Sequence, residues 1–136
     1  MLRRVQLVIV RHAEAAPGEP DELRPLTPAG RETARALGKR LSRDGVRLDA
    51  VVTSPLLRAR ETARELARAS GVEVRPDERL APGATAEDVR AAAEEQGGET
   101  VAVVGHQPDC SRVAAALTGG EEPAFPPGGM LSIDLA

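Results

Sequence analysis

Aromatic residues are almost missing from this chain: one Phe, no Tyr and no Trp in 136 residues. Stacking on nucleic-acid bases needs an aromatic platform, so that mode of binding is not expected. The core has to be built from Val, Leu, Ile and Ala. Cysteine is reduced to Cys110, which excludes a disulfide framework and a Cys-based zinc site. It leaves one thiol just before a helix as a candidate nucleophile. Long hydrophobic runs are missing as well: all fall far below the roughly 18 residues that span a bilayer. No membrane partner is expected. Met1-Leu2-Arg3-Arg4 leads directly into a short apolar strand, so a signal peptide is not expected and the cytoplasm is the expected location. The net charge of −3 provides no global field toward nucleic acid or anionic lipid. Lysine is nearly absent too: Lys39 stands against seventeen Arg. Arg keeps its charge and offers a planar fork to phosphate. A general bias in composition accounts for most of that surplus, but not for individual Arg residues at strand ends.

What is present alternates between two periodicities. Val5 to Val10 read as a strand. Pro17 to Pro25 read as a loop. Thr27-Pro28 reads as an N-cap followed by a first-turn proline, opening a helix to about Arg43 with Ala34, Leu37 and Leu41 on its apolar face. Asp49 to Thr53 read as a second strand. Ser54-Pro55 repeats the cap-plus-proline start for a helix that buries Leu56, Ala59, Ala63, Leu66 and Ala67 and stops at Gly71. Val72 to Val74 read as a third strand, with a loop from Pro76 to Ala84. Thr85-Ala86-Glu87-Asp88 is a capping-box pattern opening a short helix. Thr100 to Val104 read as a fourth strand. Gln107-Pro108 opens a helix carrying Val113, Ala114 and Leu117. After a Gly- and Pro-rich loop over 119–129, Met130 to Leu135 alternate enough for an edge strand. This order predicts an α/β fold: one domain over residues 1–136, in three α/β/α layers around a mostly parallel sheet with the C-terminal strand at its edge.

Four residues sit where such a sheet binds ligands, beyond the carboxyl ends of its strands. Arg11 and His12 follow strand one, Arg58 lies in the first turn after strand two, and His106 follows strand four. A neutral imidazole attacks phosphorus and splits one hard step into two. Two guanidinium forks and a second imidazole stabilise the charge on a transferring phosphoryl group without a metal. Helix amides after Ser54 and Gln107 add partial positive charge. Two other chemistries stay open. Glu14 or Asp109 completes a metal site with the two histidines in one, although Arg11 and Arg58 would repel the cation. Ser54 is the nucleophile in the other, although no Gly-x-Ser-x-Gly elbow surrounds it.

The runs Leu7-Val8-Ile9-Val10-Arg11-His12-Ala13-Glu14, Ser54-Pro55-Leu56-Leu57-Arg58-Ala59-Arg60-Glu61-Thr62-Ala63 and Val103-Val104-Gly105-His106 resemble the histidine phosphatase superfamily, with its phosphoglycerate-mutase-like fold. The compact length and Arg24-Pro25-Leu26-Thr27-Pro28-Ala29-Gly30 resemble its SixA-type phosphohistidine phosphatases. The resemblance implies His12 as the phosphate-accepting nucleophile, with Arg11, Arg58 and His106 binding the phosphoryl group and no cofactor or metal. It also implies a partner that carries phosphohistidine in signalling, or a small phosphorylated molecule, met by a monomer. Ala13 replaces the usual Gly after Arg-His, and Pro17-Gly18 stand where larger members place a polar phosphate ligand. Leu80-Ala81-Pro82-Gly83 offer no carboxylate where many members carry a proton donor, and the flanking Glu78, Glu87 and Asp88 remain unassigned. An alkoxide leaving group needs that proton, whereas imidazole departs more readily. The expectation is therefore a phosphohistidine phosphatase. A small-molecule phosphomonoesterase and a catalytically inactive phosphate-binding module are the alternatives.

Overall fold

The computed structural model describes residues 4–135, so Met1 to Arg3, on which part of the leader reading rested, lie outside it. Five strands form one sheet: β1 (Val5–Arg11), β2 (Ala50–Thr53), β3 (Val74–Pro76), β4 (Thr100–Gly105) and β5 (Met130–Leu135). Their order is β3-β2-β4-β1-β5. The pairs β1–β4, β2–β4 and β2–β3 are parallel, and β5 closes one edge antiparallel to β1. Four helices cover the sheet: α1 (Pro28–Arg43), α2 (Leu57–Ser70), α3 (Ala86–Glu94) and α4 (Asp109–Thr118).

Strand alternation divides the core into two layers. Leu7, Ile9, Val52, Val101 and Val103 face α3 and α4 through Val89, Ala92, Ala93, Val113 and Ala114. Val8, Val10, Val51, Ala102 and Val104 face α1 and α2 through Leu37, Leu41, Ala59, Ala63 and Leu66. The central strands β1, β2 and β4 are buried on both faces, which is why they read as continuous apolar runs. The helices reach the backbone of one another where side chains are small. A Cβ on Gly38 of α1 would sit 2.8 Å from the carbonyl oxygen of Glu65 in α2.

Among the predicted boundaries that move, three are informative. The third strand lies at Val74–Pro76, two residues later than the β-branched run, because pairing with Val51 to Thr53 sets its register. Ser54 does not cap α2: the helix begins at Leu57, with Leu56 at the cap position and no side-chain cap bond. The Ser54 hydroxyl is directed into the interior instead, as described below. At Gln107-Pro108, the proline occupies the cap position and α4 begins at Asp109, while the Gln107 side chain accepts from the Ser111 amide at 3.0 Å. Thr27 and Thr85 cap α1 and α3 as predicted, the latter with the full capping box through Asp88.

The register fixes what matters for function. Arg11 pairs with Gly105, and Thr53 with Val104, so strands β1, β2 and β4 end level with one another. The His12 amide still donates to the Gly105 carbonyl at 3.0 Å, and the Ser54 amide to that of Val104 at 3.0 Å. The segments carrying Arg11-His12, Ser54 to Arg58, and His106 therefore leave the sheet at one edge.

Candidate active site

His12 and His106 meet above that edge, their ring centroids 5.2 Å apart and their planes tilted by 60°. Nδ1 of His12 lies 2.7 Å from the carbonyl oxygen of Ala13. A carbonyl only accepts, so Nδ1 carries the proton and Nε2 keeps its lone pair. Nε2 of His106 lies 2.7 Å from the Ser54 hydroxyl. That hydroxyl also accepts from the Leu56 amide at 3.2 Å and keeps both a proton and a second lone pair for His106. The contact holds the His106 ring in place beside His12.

The two guanidinium groups are held differently. Arg11 donates from Nη1 to the Phe125 carbonyl at 2.9 Å, which ties it to the loop between α4 and β5. Its Nε is buried and, among the described residues, has no hydrogen-bond partner. An unmet buried donor on a cation is unfavourable unless an anion meets it. Arg58 is buried in the first turn of α2. Its Nη1 donates to the Asp21 carbonyl at 2.9 Å, and its Nη2 to the Asp21 carboxylate at 3.2 Å. Asp21 opens a short 3-10 turn (Asp21–Leu23) at the rim and is also paired with Arg24 at 2.9 Å.

These surroundings bias both imidazoles toward the neutral form. Burial comes first for His12 and lowers its pKa, with Arg58, Arg11 and Arg24 adding to the effect against the Ala13 carbonyl. Burial also leads at His106, followed by His12 and Arg58, and brings it down to about 4. Arg11 and Arg58 also disfavour a charged His12. Loss of solvent is the larger cause.

The backbone under His12 is fastened from below. The Ala13 amide donates to Thr62 Oγ1 at 3.0 Å, and the same hydroxyl donates to the Arg58 carbonyl at 2.9 Å. One buried threonine thus couples the histidine loop to the helix that carries Arg58. Gly30 lies against this loop so closely that a Cβ would fall 2.1 Å from the Glu14 carbonyl oxygen.

The rival chemistries meet obstacles here. Glu14 accepts from the Thr27 hydroxyl and Asp109 from the Gly83 amide, and no three His, Cys, Asp or Glu gather as ligands among the described residues. Ser54 is fully buried behind His106. Cys110 is buried against the core and its thiol is pushed up to about 12, so it stays protonated. Sequence reasoning missed Asp21, Arg24 and Thr62 as parts of the site. Nothing in the chain links residue 21 to residue 58. Thr62 stood inside the matched motif without a role.

Comparison with known proteins accords with this geometry. The model of the histidine phosphatase superfamily (branch 1) matches residues 7–82. The chain belongs to that superfamily of phosphatases. It is 33% identical over 127 residues to the phosphohistidine phosphatase SixA of Escherichia coli (strain K12), covering 88% of this chain and 78% of that one. The structure of the protein histidine phosphatase SixA complexed with tungstate superposes with a TM-score of 0.85 at 29% identity, covering 94% of this chain and 86% of that chain. The mitochondrial serine/threonine-protein phosphatase Pgam5 of Drosophila persimilis shares 43% identity over 58 residues, 42% of this chain. The match spans only 20% of that relative's length. The expected phosphoglycerate-mutase-like fold is the one observed. No helix among the described residues is long and apolar enough to cross a membrane.

Proposed function

We propose that the chain is one histidine phosphatase domain that hydrolyses phosphohistidine on a protein partner, through a phosphohistidine intermediate on His12. The carrying observation is the bond from His12 Nδ1 to the Ala13 carbonyl, which leaves Nε2 as the attacking atom. Arg11, Arg58 and His106 surround the phosphoryl oxygens in this reading. The free Nε of Arg11 supplies a donor where charge gathers in the transition state, with the His106 ring beside it. In the first step Nε2 of His12 bonds to phosphorus and the bond from phosphorus to the substrate ring nitrogen breaks. In the second step water attacks phosphorus, both its protons leave on the phosphate, and His12 departs as neutral imidazole because Nδ1 kept its proton. The tungstate held by a SixA relative is a tetrahedral oxyanion of the same shape.

Phosphohistidine is favoured over phosphate esters because Asp21, the carboxylate bound to Arg58, is not available to protonate an alkoxide. Asp88 is committed to the cap of α3, and Asp21 is held ionised by Arg24 and Arg58. The test compares phosphate release from a phosphohistidine peptide and from p-nitrophenyl phosphate, by wild type and His12→Ala. Faster release from the peptide, reduced about a thousandfold or more in the variant, is expected. Preference for the ester, also lost in the variant, moves the substrate to small phosphomonoesters. Release that survives in His12→Ala removes the nucleophile assignment.

A further inference from the structure

We propose that Asp21 is a substrate-contacting, specificity-determining residue: its carboxylate accepts the ring N–H of the departing imidazole and thereby selects phosphohistidine over phosphate esters. This rests on the phosphohistidine reading above and names the group that recognises the leaving side.

A double displacement of this kind has two imidazole leaving groups. Each leaves as a neutral ring only if its second nitrogen holds a proton, and that proton is retained best when an acceptor faces it. For His12, the leaving group of the second step, the acceptor is the Ala13 carbonyl at 2.7 Å. The substrate ring, the leaving group of the first step, lies on the opposite side of phosphorus, toward the mouth, and needs an acceptor of its own. Asp21 stands at that rim. Its carbonyl and carboxylate both bind Arg58, which places it beside the phosphoryl pocket. Its side chain remains 56% exposed. One carboxylate oxygen is engaged by Arg24 and the other by Arg58. Each keeps a further lone pair, so the group accepts another bond without breaking either.

Beside the neutral His106 at the end of β4, two charges face this point: Arg58 from α2 and Arg24 from the same rim segment. Without Asp21 they would repel a ring that carries an added proton. With it, a protonated ring meets an ionised acceptor. An ester leaving group develops negative charge on oxygen instead and meets the same carboxylate as a repulsion. One residue therefore favours one leaving group and disfavours the other. No proton is transferred to Asp21: phosphorus passes to His12 Nε2, the bond to the substrate nitrogen breaks, and the ring keeps its own N–H.

The experiment measures kcat/KM for phosphoimidazole and p-nitrophenyl phosphate across pH, with wild type, Asp21→Asn and Asp21→Glu. In Asp21→Asn the phosphoimidazole value is expected to fall about ten- to a hundredfold, the worth of a hydrogen bond to a charged group. The ester value should fall much less, because the weaker hold on Arg58 is offset by the lost repulsion. The alkaline limb for phosphoimidazole should move to lower pH, since the bound ring loses its proton more easily, and Asp21→Glu should recover part of both. Equal losses on both substrates would overturn the proposal and reduce Asp21 to a support for Arg58. Wild-type enzyme that turns over the ester but not phosphoimidazole would remove the phosphohistidine reading itself, and this inference with it.

Discussion

The Ser54 hydroxyl and the Nε2 of His106 lie 2.7 Å apart, both buried, across the join between β2 and β4. This contact gives a strand-end serine a task other than helix capping. It fixes which way the His106 ring faces.

Removing that hydroxyl should therefore impair chemistry more than folding. Ser54→Ala leaves His106 Nε2 and the Leu56 amide short of a partner, at a cost of about 1–3 kcal/mol. The expected result is a fall in kcat of about tenfold or more with KM little changed, since the second imidazole loses the contact that orients it. Steady-state kinetics checks this, beside a urea denaturation curve. An unchanged kcat would show that the contact is incidental.

The histidines also make stability depend on pH. His106 titrates at about 4 in the folded protein against 6.5 for an ordinary imidazole, and His12 is lowered as well. Between those values the unfolded chain binds more protons than the folded one, so stability rises with pH. The contribution is fully present above 6.5 and is lost as pH falls toward 4. The lowered carboxylates Asp21, Asp77, Asp88 and Glu95 belong to the more acidic end of the range. Tm should fall between pH 7 and pH 5, and His106→Gln should flatten that slope. Activity that depends on neutral His12 should persist through pH 6, and a rate that collapses there would contradict the environment described.

Gly30 offers a test through sterics. A Cβ there would meet the Glu14 carbonyl oxygen at 2.1 Å, two residues beyond His12, and backbone on both sides leaves it nowhere to go. Gly30→Ala should destabilise the protein by about 1–3 kcal/mol as an overpacking change. It should also reduce activity on every substrate, because the 13–16 loop must shift. Hydrogen exchange at the Ala13 amide, held by Thr62, reads that shift directly. Wild-type protection there would show that α1 yields instead of the loop.

Much of this molecule was legible because its signals are local. The apolar runs of β1, β2 and β4, the caps at Thr27 and Thr85, and the glycine stop at Gly71 each depend on neighbours in sequence. Arg11, His12, Arg58 and His106 could be picked out because each stands at an element boundary, and parallel strands bring such boundaries to one edge. Ser54-Pro55 misled for an equally local reason: its pattern matches a helix start, but a buried acceptor on His106 competes for the hydroxyl.

The sequence by itself determined the order of elements, the layered architecture and the kind of chemistry, since periodicity and residue type are carried within short windows. Only the tertiary structure decided the register that levels Arg11 with Gly105, the proton position on His12, the seat of His106 against Ser54, and the placing of Asp21 against Arg58 across thirty-seven positions of chain. Those depend on which groups meet after the loops close, and neither spacing nor composition records such meetings. Burial, the main reason both imidazoles stay neutral, likewise exists only once the layers have packed.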